Sequence, residues 1–160
     1  MPVHPADFTR TMSRVPGPVT VATTVDASGK HWGFTGNSFT SLSLDPQLIL
    51  ICLDKGASTH AAFTSADQFL INILAHEQAD VALRFAKSGI DRFQAGDMVP
   101  CELGLPGLPE ASARIACSTH GILNGGDHSI LVGRVEETYT GTAIPLVYSD
   151  RVFGRPGVST

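Results

Sequence analysis

The sequence predicts a mainly β domain, a β-barrel with peripheral helices. Two observations carry the prediction. Runs rich in β-branched and apolar residues recur between turns built from Gly, Pro, Asn and Asp, and no βαβ spacing repeats along the chain. The 160 residues fit one domain, residues 1–160, able to bury its own core.

The elements follow in order. Phe8, Met12 and Val15 recur at helical spacing, which predicts a short helix from about Asp7 to Arg14, ended by Pro16-Gly17-Pro18. Val19 to Val25 is β-branched, and Asp26-Ala27-Ser28-Gly29-Lys30 turns the chain back through His31 to Phe34, a hairpin. Ser38 to Ser43 alternates polar and apolar residues, and Asp45-Pro46 turns it into a fully apolar strand, Leu48 to Leu53. Ser58 is placed to cap a short helix through His60 to Phe63. Gln68 to Leu74 reads as a strand and His76 to Ala86 as a helix with a narrow apolar face. Lys87 to Pro109 is irregular. Two strands, Ala113 to Leu123 and His128 to Thr138, flank the turn sequence Asn124-Gly125-Gly126-Asp127, and a last strand spans Pro145 to Tyr148.

Composition excludes several classes. Net charge is −4 with 11 scattered Lys and Arg, which gives no nucleic-acid footprint. The three cysteines form no CxxC pair and suit reduced thiols in a cytoplasmic protein. His4, His31, His60, His76 and His120 have no metal-ligand spacing. No apolar run reaches the length of a membrane span, and the N-terminus lacks a secretory pattern.

Chemistry concentrates in two places. Seven of the nine residues from Gly33 to Ser41 are Gly, Ser, Thr or Asn, small types that let a ligand approach the backbone and hydrogen-bond it. Gly33 and Gly36 fit either such an approach or a β-bulge. Gly126-Asp127-His128 delivers an imidazole at the mouth of the buried run Ile130-Leu131-Val132; taken alone, a histidine there is more often a turn residue than a ligand contact. Ser58 and Thr59, with Lys55 nearby, suit either a helix cap or a phosphate at a helix start. Trp32, Phe39 and Phe63 read as packing, and Asp127 as fixing the turn. A small-molecule redox site is the leading reading.

Taken together, Arg14-Val15-Pro16-Gly17-Pro18-Val19-Thr20-Val21, the Gly33-to-Pro46 block, Phe69 to Leu74, Arg84-Phe85, Asp91-Arg92-Phe93 and Gly126-Asp127-His128 resemble the short-chain flavin reductases with an FMN-binding split barrel, over nearly the whole chain. These are reductase components of two-component flavin monooxygenases. The resemblance implies a homodimer, non-covalent FMN or FAD, NADH (NADPH being possible) and a partner monooxygenase. It implies that Thr35, Gly36, Asn37, Ser38, Phe39, Thr40 and Ser41 face the flavin, that Cys52 and Leu53 flank its ring, and that Ser58 and Thr59 bind its phosphate, with Arg84 and Phe85 alongside. His128 is the implied nicotinamide contact and catalytic residue, with Tyr148 on the cofactor's side. A non-catalytic flavin-binding module and an oxidase acting directly on an organic substrate are the rival readings.

Overall fold

Proline at the first helical position and the His4 ring, whose Nδ1 accepts the Ala6 N–H at 3.2 Å, start helix α1 at Pro5–Met12 in the computed structural model, which describes residues 2–157. It begins and ends two residues earlier than the sequence pattern predicts, because the proline start outweighs the apolar spacing. The chain continues through β1 (Gly17–Pro18), β2 (Thr20–Val25) and β3 (His31–Gly36). Asp26 builds the β2–β3 hairpin: its carboxylate accepts from the N–H groups of Ser28 and Lys30 and from the Trp32 indole. Next come β4 (Phe39–Leu44), β5 (Gln47–Asp54), helix α2 (His60–Ser65) and β6 (Gln68–Ile73). A 3-10 turn, His76–Gln78, precedes helix α3 (Ala79–Ala86), where the sequence suggests one continuous helix; the Gln78 side chain bonds back to the Ala75 N–H and ends the turn.

The irregular segment after α3 contains a small ladder, β7 (Val99–Pro100) with β8 (Pro106–Gly107). Two long strands follow, β9 (Ala113–Gly125) and β10 (His128–Thr140). Gly125 pairs with His128, so the turn is the two residues Gly126-Asp127, and Gly126 has φ +76°, a conformation glycine adopts without penalty. The final strand expected from Pro145 is β11 (Val147–Ser149), which pairs with β1 and with β12 (Val152–Gly154) in a separate three-stranded sheet.

The main sheet has seven strands in the order β3-β2-β6-β9-β10-β5-β4, each adjacent pair antiparallel. Its two edge strands, β3 and β4, are consecutive in sequence and joined only by Asn37-Ser38. Six flat strand spacings would separate the edges by about 29 Å. The link from Gly36 to Phe39 reaches at most about 11 Å. The sheet therefore curls into a barrel, and since β3 and β4 share no ladder, the barrel is split along that seam. Its interior agrees: Ala22, Phe34, Ile51, Phe63, Phe69, Ile71 and Leu131 form one buried cluster drawn from both ends of the strand order. Phe34 and Phe63 meet edge to face at 4.8 Å.

Strand β2 is buried on both sides. Ala22 points into the barrel, while Val21 joins Leu74, Val81, Ala82, Phe85 and Leu146 beneath α3. Its threonines avoid the cost of burial by donating to backbone carbonyls: Thr20 to Gly36, Thr23 to Pro106 and Thr24 to Gln68. The fully buried Asn72 donates to the Val21 carbonyl and accepts from Leu108, tying the barrel to the strap that follows β8. Among the described residues no helix is long and apolar enough to cross a membrane.

Candidate active site

A cleft of about 480 Å³ opens at the barrel seam. Its lining brings together the end of β3 and the seam link, Thr35 to Ser38, the end of β5 with Cys52 and Leu53, the pair Ser58 and Thr59, and His128 at the start of β10. The register explains the convergence. His128 pairs with Asp54 and Ile130 with Cys52, so the hairpin turn ends beside the C-terminal end of β5. Lys55 N–H donates to the Asp127 carbonyl, and Lys55 Nζ to the Asn124 side chain, fixing that end of the hairpin.

The main chain supplies donors at the seam. The Ser38 carbonyl accepts from Cys52 N–H, but the N–H groups of Asn37 and Ser38 have no protein partner among the described residues. The Thr35 hydroxyl, by contrast, is committed to the Ala82 carbonyl of α3 at 2.6 Å. Leu53 is part of the barrel interior, so it offers the cleft main chain rather than side chain. Cys52 is half-buried, and desolvation raises its thiol above the ordinary value, which suits packing rather than nucleophilic work. Phe85 is fully buried with its ring against Gly33, where an added Cβ would lie 2.7 Å from it. Close approach to an aromatic ring accounts for that glycine.

Thr59 carries the most telling atom. It is 3 % exposed, it lines the cleft, and its Oγ1 is buried without any hydrogen-bond partner. The sequence suggests Ser58 as the cap of α2; the structure puts Thr59 at that position, with no side-chain cap bond and with helical backbone angles (φ −85°, ψ −9°) in place of the extended ones a capping side chain uses. A native buried hydroxyl left unpaired marks a place where something outside the chain completes it.

The arginine that lines the cleft together with this hydroxyl is Arg92, not Arg84. Arg84 donates to both carboxylate oxygens of Asp97 at 2.7 and 2.8 Å and to the Arg92 carbonyl, so it is spent on holding the segment after α3 and does not line the cleft. Arg92 donates from Nε to Lys87 and from Nη1 to Gly33, has no carboxylate partner among the described residues, and lines the cleft. The sequence marks it only within the Asp91-Arg92-Phe93 motif and gives it no role at the site; the available signal was an arginine between Gly89 and Phe93 in a segment with no helical phase to consume it. Phe39, Thr40 and Ser41 lie on β4 and Tyr148 packs on Phe153 in the small sheet, and none of the four lines this cleft.

His128 lies at the other end. Its Nδ1 is 2.7 Å from the Asp127 carboxylate, and that hydrogen bond holds the Asp127 carboxyl below its usual range. With Nδ1 engaged, Nε2 is the ring atom left for a ligand. The next residue of β10, Ser129, shares a 2.8 Å hydrogen bond with His60 of α2.

Residues 12–157 match the flavin reductase like domain. The chain belongs to the flavin reductase-like family. It is 37 % identical over 161 aligned positions to an NADH:riboflavin 5'-phosphate oxidoreductase of Streptomyces pristinaespiralis, covering 99 % of this chain and 92 % of that one. It is 45 % identical over 120 residues to the stachydrine N-demethylase reductase subunit Stc3 of Rhizobium meliloti, covering 75 % of this chain but only 52 % of the relative, so this flavin reductase-like domain spans about half that protein's length. Among solved structures, the NADH:FAD oxidoreductase SgcE6 of Streptomyces globisporus, in complex with NAD and FAD fragments, superposes with a TM-score of 0.90 at 33 % identity over 98 % of this chain and 97 % of that one. The mainly β, split-barrel architecture expected from the sequence is thus the family's. The residues at the seam fit a flavin: unpaired main-chain donors for a polar ring edge, an orphaned hydroxyl and a guanidinium for a phosphate, and small side chains between them.

Proposed function

We propose that the protein is an NADH-dependent flavin reductase that passes reduced flavin to a separate monooxygenase. The observation that carries this reading is the unpaired, buried Thr59 hydroxyl in a seam cleft that Arg92 also lines. It gives a phosphate-bearing ligand a fixed end, and the seam donors and His128 then lie along the rest of its length.

The bound flavin supplies the hydride acceptor and the nicotinamide the hydride. What this chain contributes is alignment. Asn37 and Ser38 N–H groups are placed to hold the ring's polar edge, Ser58, Thr59 and Arg92 the phosphate, and the small side chains at the seam leave one face of the ring open to the nicotinamide. His128, oriented by Asp127, presents Nε2 to the nicotinamide side. No side chain needs to move a proton for hydride transfer, so His128 acts through binding. A cleft open to solvent at the seam suits a flavin that must leave again.

Apolar side chains exposed on α1 (Phe8 and Met12) and at the tip of the β9–β10 hairpin (Ile122 and Leu123) support a homodimer, with the cytoplasm as the compartment that keeps the three thiols reduced. The test is anaerobic mixing with NADH and excess FMN or FAD, following loss of the flavin's visible absorbance, with His128→Ala in parallel. Multiple-turnover bleaching, with a KM for NADH raised in the variant more than kcat falls, supports the reading. Flavin binding without bleaching by NADH or NADPH refutes it in favour of a non-catalytic binding module.

A further inference from the structure

Past the Ser58-Thr59 corner a second cleft of about 740 Å³ opens, sharing Ser58, Thr59, Gly89 and Arg92 with the seam cleft. Trp32 lines it and does not line the seam cleft. The indole is fixed on one edge by its 2.9 Å hydrogen bond to Asp26, and the Lys30 ammonium lies 4.1 Å from the ring centroid. Resting on the flavin reductase reading, we propose that this second cleft takes the adenylate half of FAD, with Trp32 as the platform for the base and Lys30 as the partner of the second phosphate, so that the chain prefers FAD to FMN.

The argument is one of continuity. FMN ends at its phosphate, whereas FAD continues through a second phosphate to a ribose and an adenine. The structure continues in the same sense, from a phosphate corner to a cationic, aromatic-walled space whose volume suits a nucleotide half. Adenine presents a flat π-face, and an indole is the side chain best matched to it. Lys30 rests on the ring by an exposed cation–π contact, which is weak enough for the ammonium to move to a phosphate as the base takes the ring face. The carboxylate on this side, Asp91, is already accepting the Phe93 N–H. A third cleft, on the α2 side of Trp32, carries Asp26 and Asp67 without a lysine or arginine, so charge selects the Lys30 side for a diphosphate.

The test is equilibrium binding of FAD and of FMN, in the absence of NADH, to the wild type, Trp32→Ala, Trp32→Phe and Lys30→Met. The wild type is expected to bind FAD at least about 10-fold more tightly than FMN, the scale of one base stacked on an aromatic ring. Trp32→Ala removes most of that ratio, Trp32→Phe keeps most of it, and Lys30→Met lowers it several-fold at low salt. Because Trp32 also packs on the barrel interior, Lys30→Met, on the surface, keeps the proposal testable if Trp32→Ala does not fold. Equal wild-type affinities overturn the proposal, as does a Trp32→Ala that weakens both flavins alike. FMN bound and reduced without FAD preference overturns this inference alone; binding of neither flavin overturns it together with the reductase reading.

Discussion

Replacing Thr59 by valine separates what the site costs the fold from what it gives the ligand. The Thr59 Oγ1 is buried without a partner, and a buried hydroxyl in that state costs about 1–3 kcal/mol in folding. Valine has nearly the same shape and no hydroxyl. Thr59→Val should therefore raise stability by about 1 kcal/mol, which for a chain of this size is a Tm increase of roughly 2–4 °C. Binding moves the other way. If the hydroxyl donates to a phosphate, its removal forfeits a hydrogen bond to a charged group, about 1.5–3 kcal/mol. That corresponds to a flavin Kd weakened about 10- to 150-fold. Thermal unfolding without flavin and equilibrium flavin titration give both quantities on the same two proteins. A variant that loses stability while binding flavin as tightly as the wild type refutes the reasoning, since it would show Thr59 to be an ordinary packing residue.

Other outcomes follow from neighbouring features. Arg92→Met removes the cation from the phosphate corner together with its bonds to Lys87 and Gly33; flavin affinity should fall about 10-fold or more, and limited proteolysis should cut faster within residues 87–98. The Glu102 carboxyl is held below its ordinary value chiefly by hydrogen bonding from Arg114, so its stabilising contribution is full above its unfolded pKa and is lost as pH falls through the depressed folded value. Urea midpoints should hold near neutrality and drop below about pH 4, with a shallower acid loss in Glu102→Gln. The Cys117 thiol is fully buried and pushed up to about 12, so iodoacetamide at pH 8 should leave it unmodified in the folded protein while the half-buried Cys52 and Cys101 react slowly; rapid labelling of Cys117 would contradict the packing described.

The strands were legible because their residues announce themselves locally. Val19 to Val25 is β-branched and Leu48 to Leu53 is apolar throughout, and both appear where expected, while the turn expected over Asn124 to Asp127 tightens to Gly126-Asp127. Strand order was not legible. Nothing in the periodicity of β9 says that it lies between β6 and β10, since that neighbour relation is set by burial across the whole barrel. The site divides in the same way. Thr35 to Ser38, Cys52, Leu53, Ser58, Thr59 and His128 stand together because each sits at a strand end or a turn, where sequence and position are tightly linked. Arg84 and Arg92 each stand next to a phenylalanine in the sequence and differ only in what surrounds them in space: Asp97 neutralises one and leaves the other facing the cleft. β4 could not be divided into ligand-facing and solvent-facing residues from its Ser and Thr content, which is alike along its length.

The seam between β3 and β4 has a consequence for how the sequence can change. A closed barrel would spend the Asn37 and Ser38 N–H groups on a neighbouring strand; here they remain available, and under the proposed function the wall they form would read a ligand by peptide groups rather than by side chains. Peptide groups are common to all residue types except proline. Substitutions along this link that preserve the path of the chain leave such recognition untouched, whereas a proline at 37 or 38 would delete a donor outright. Under the proposed function, a part of the wall that meets the ligand is thus a part whose letters are free to drift.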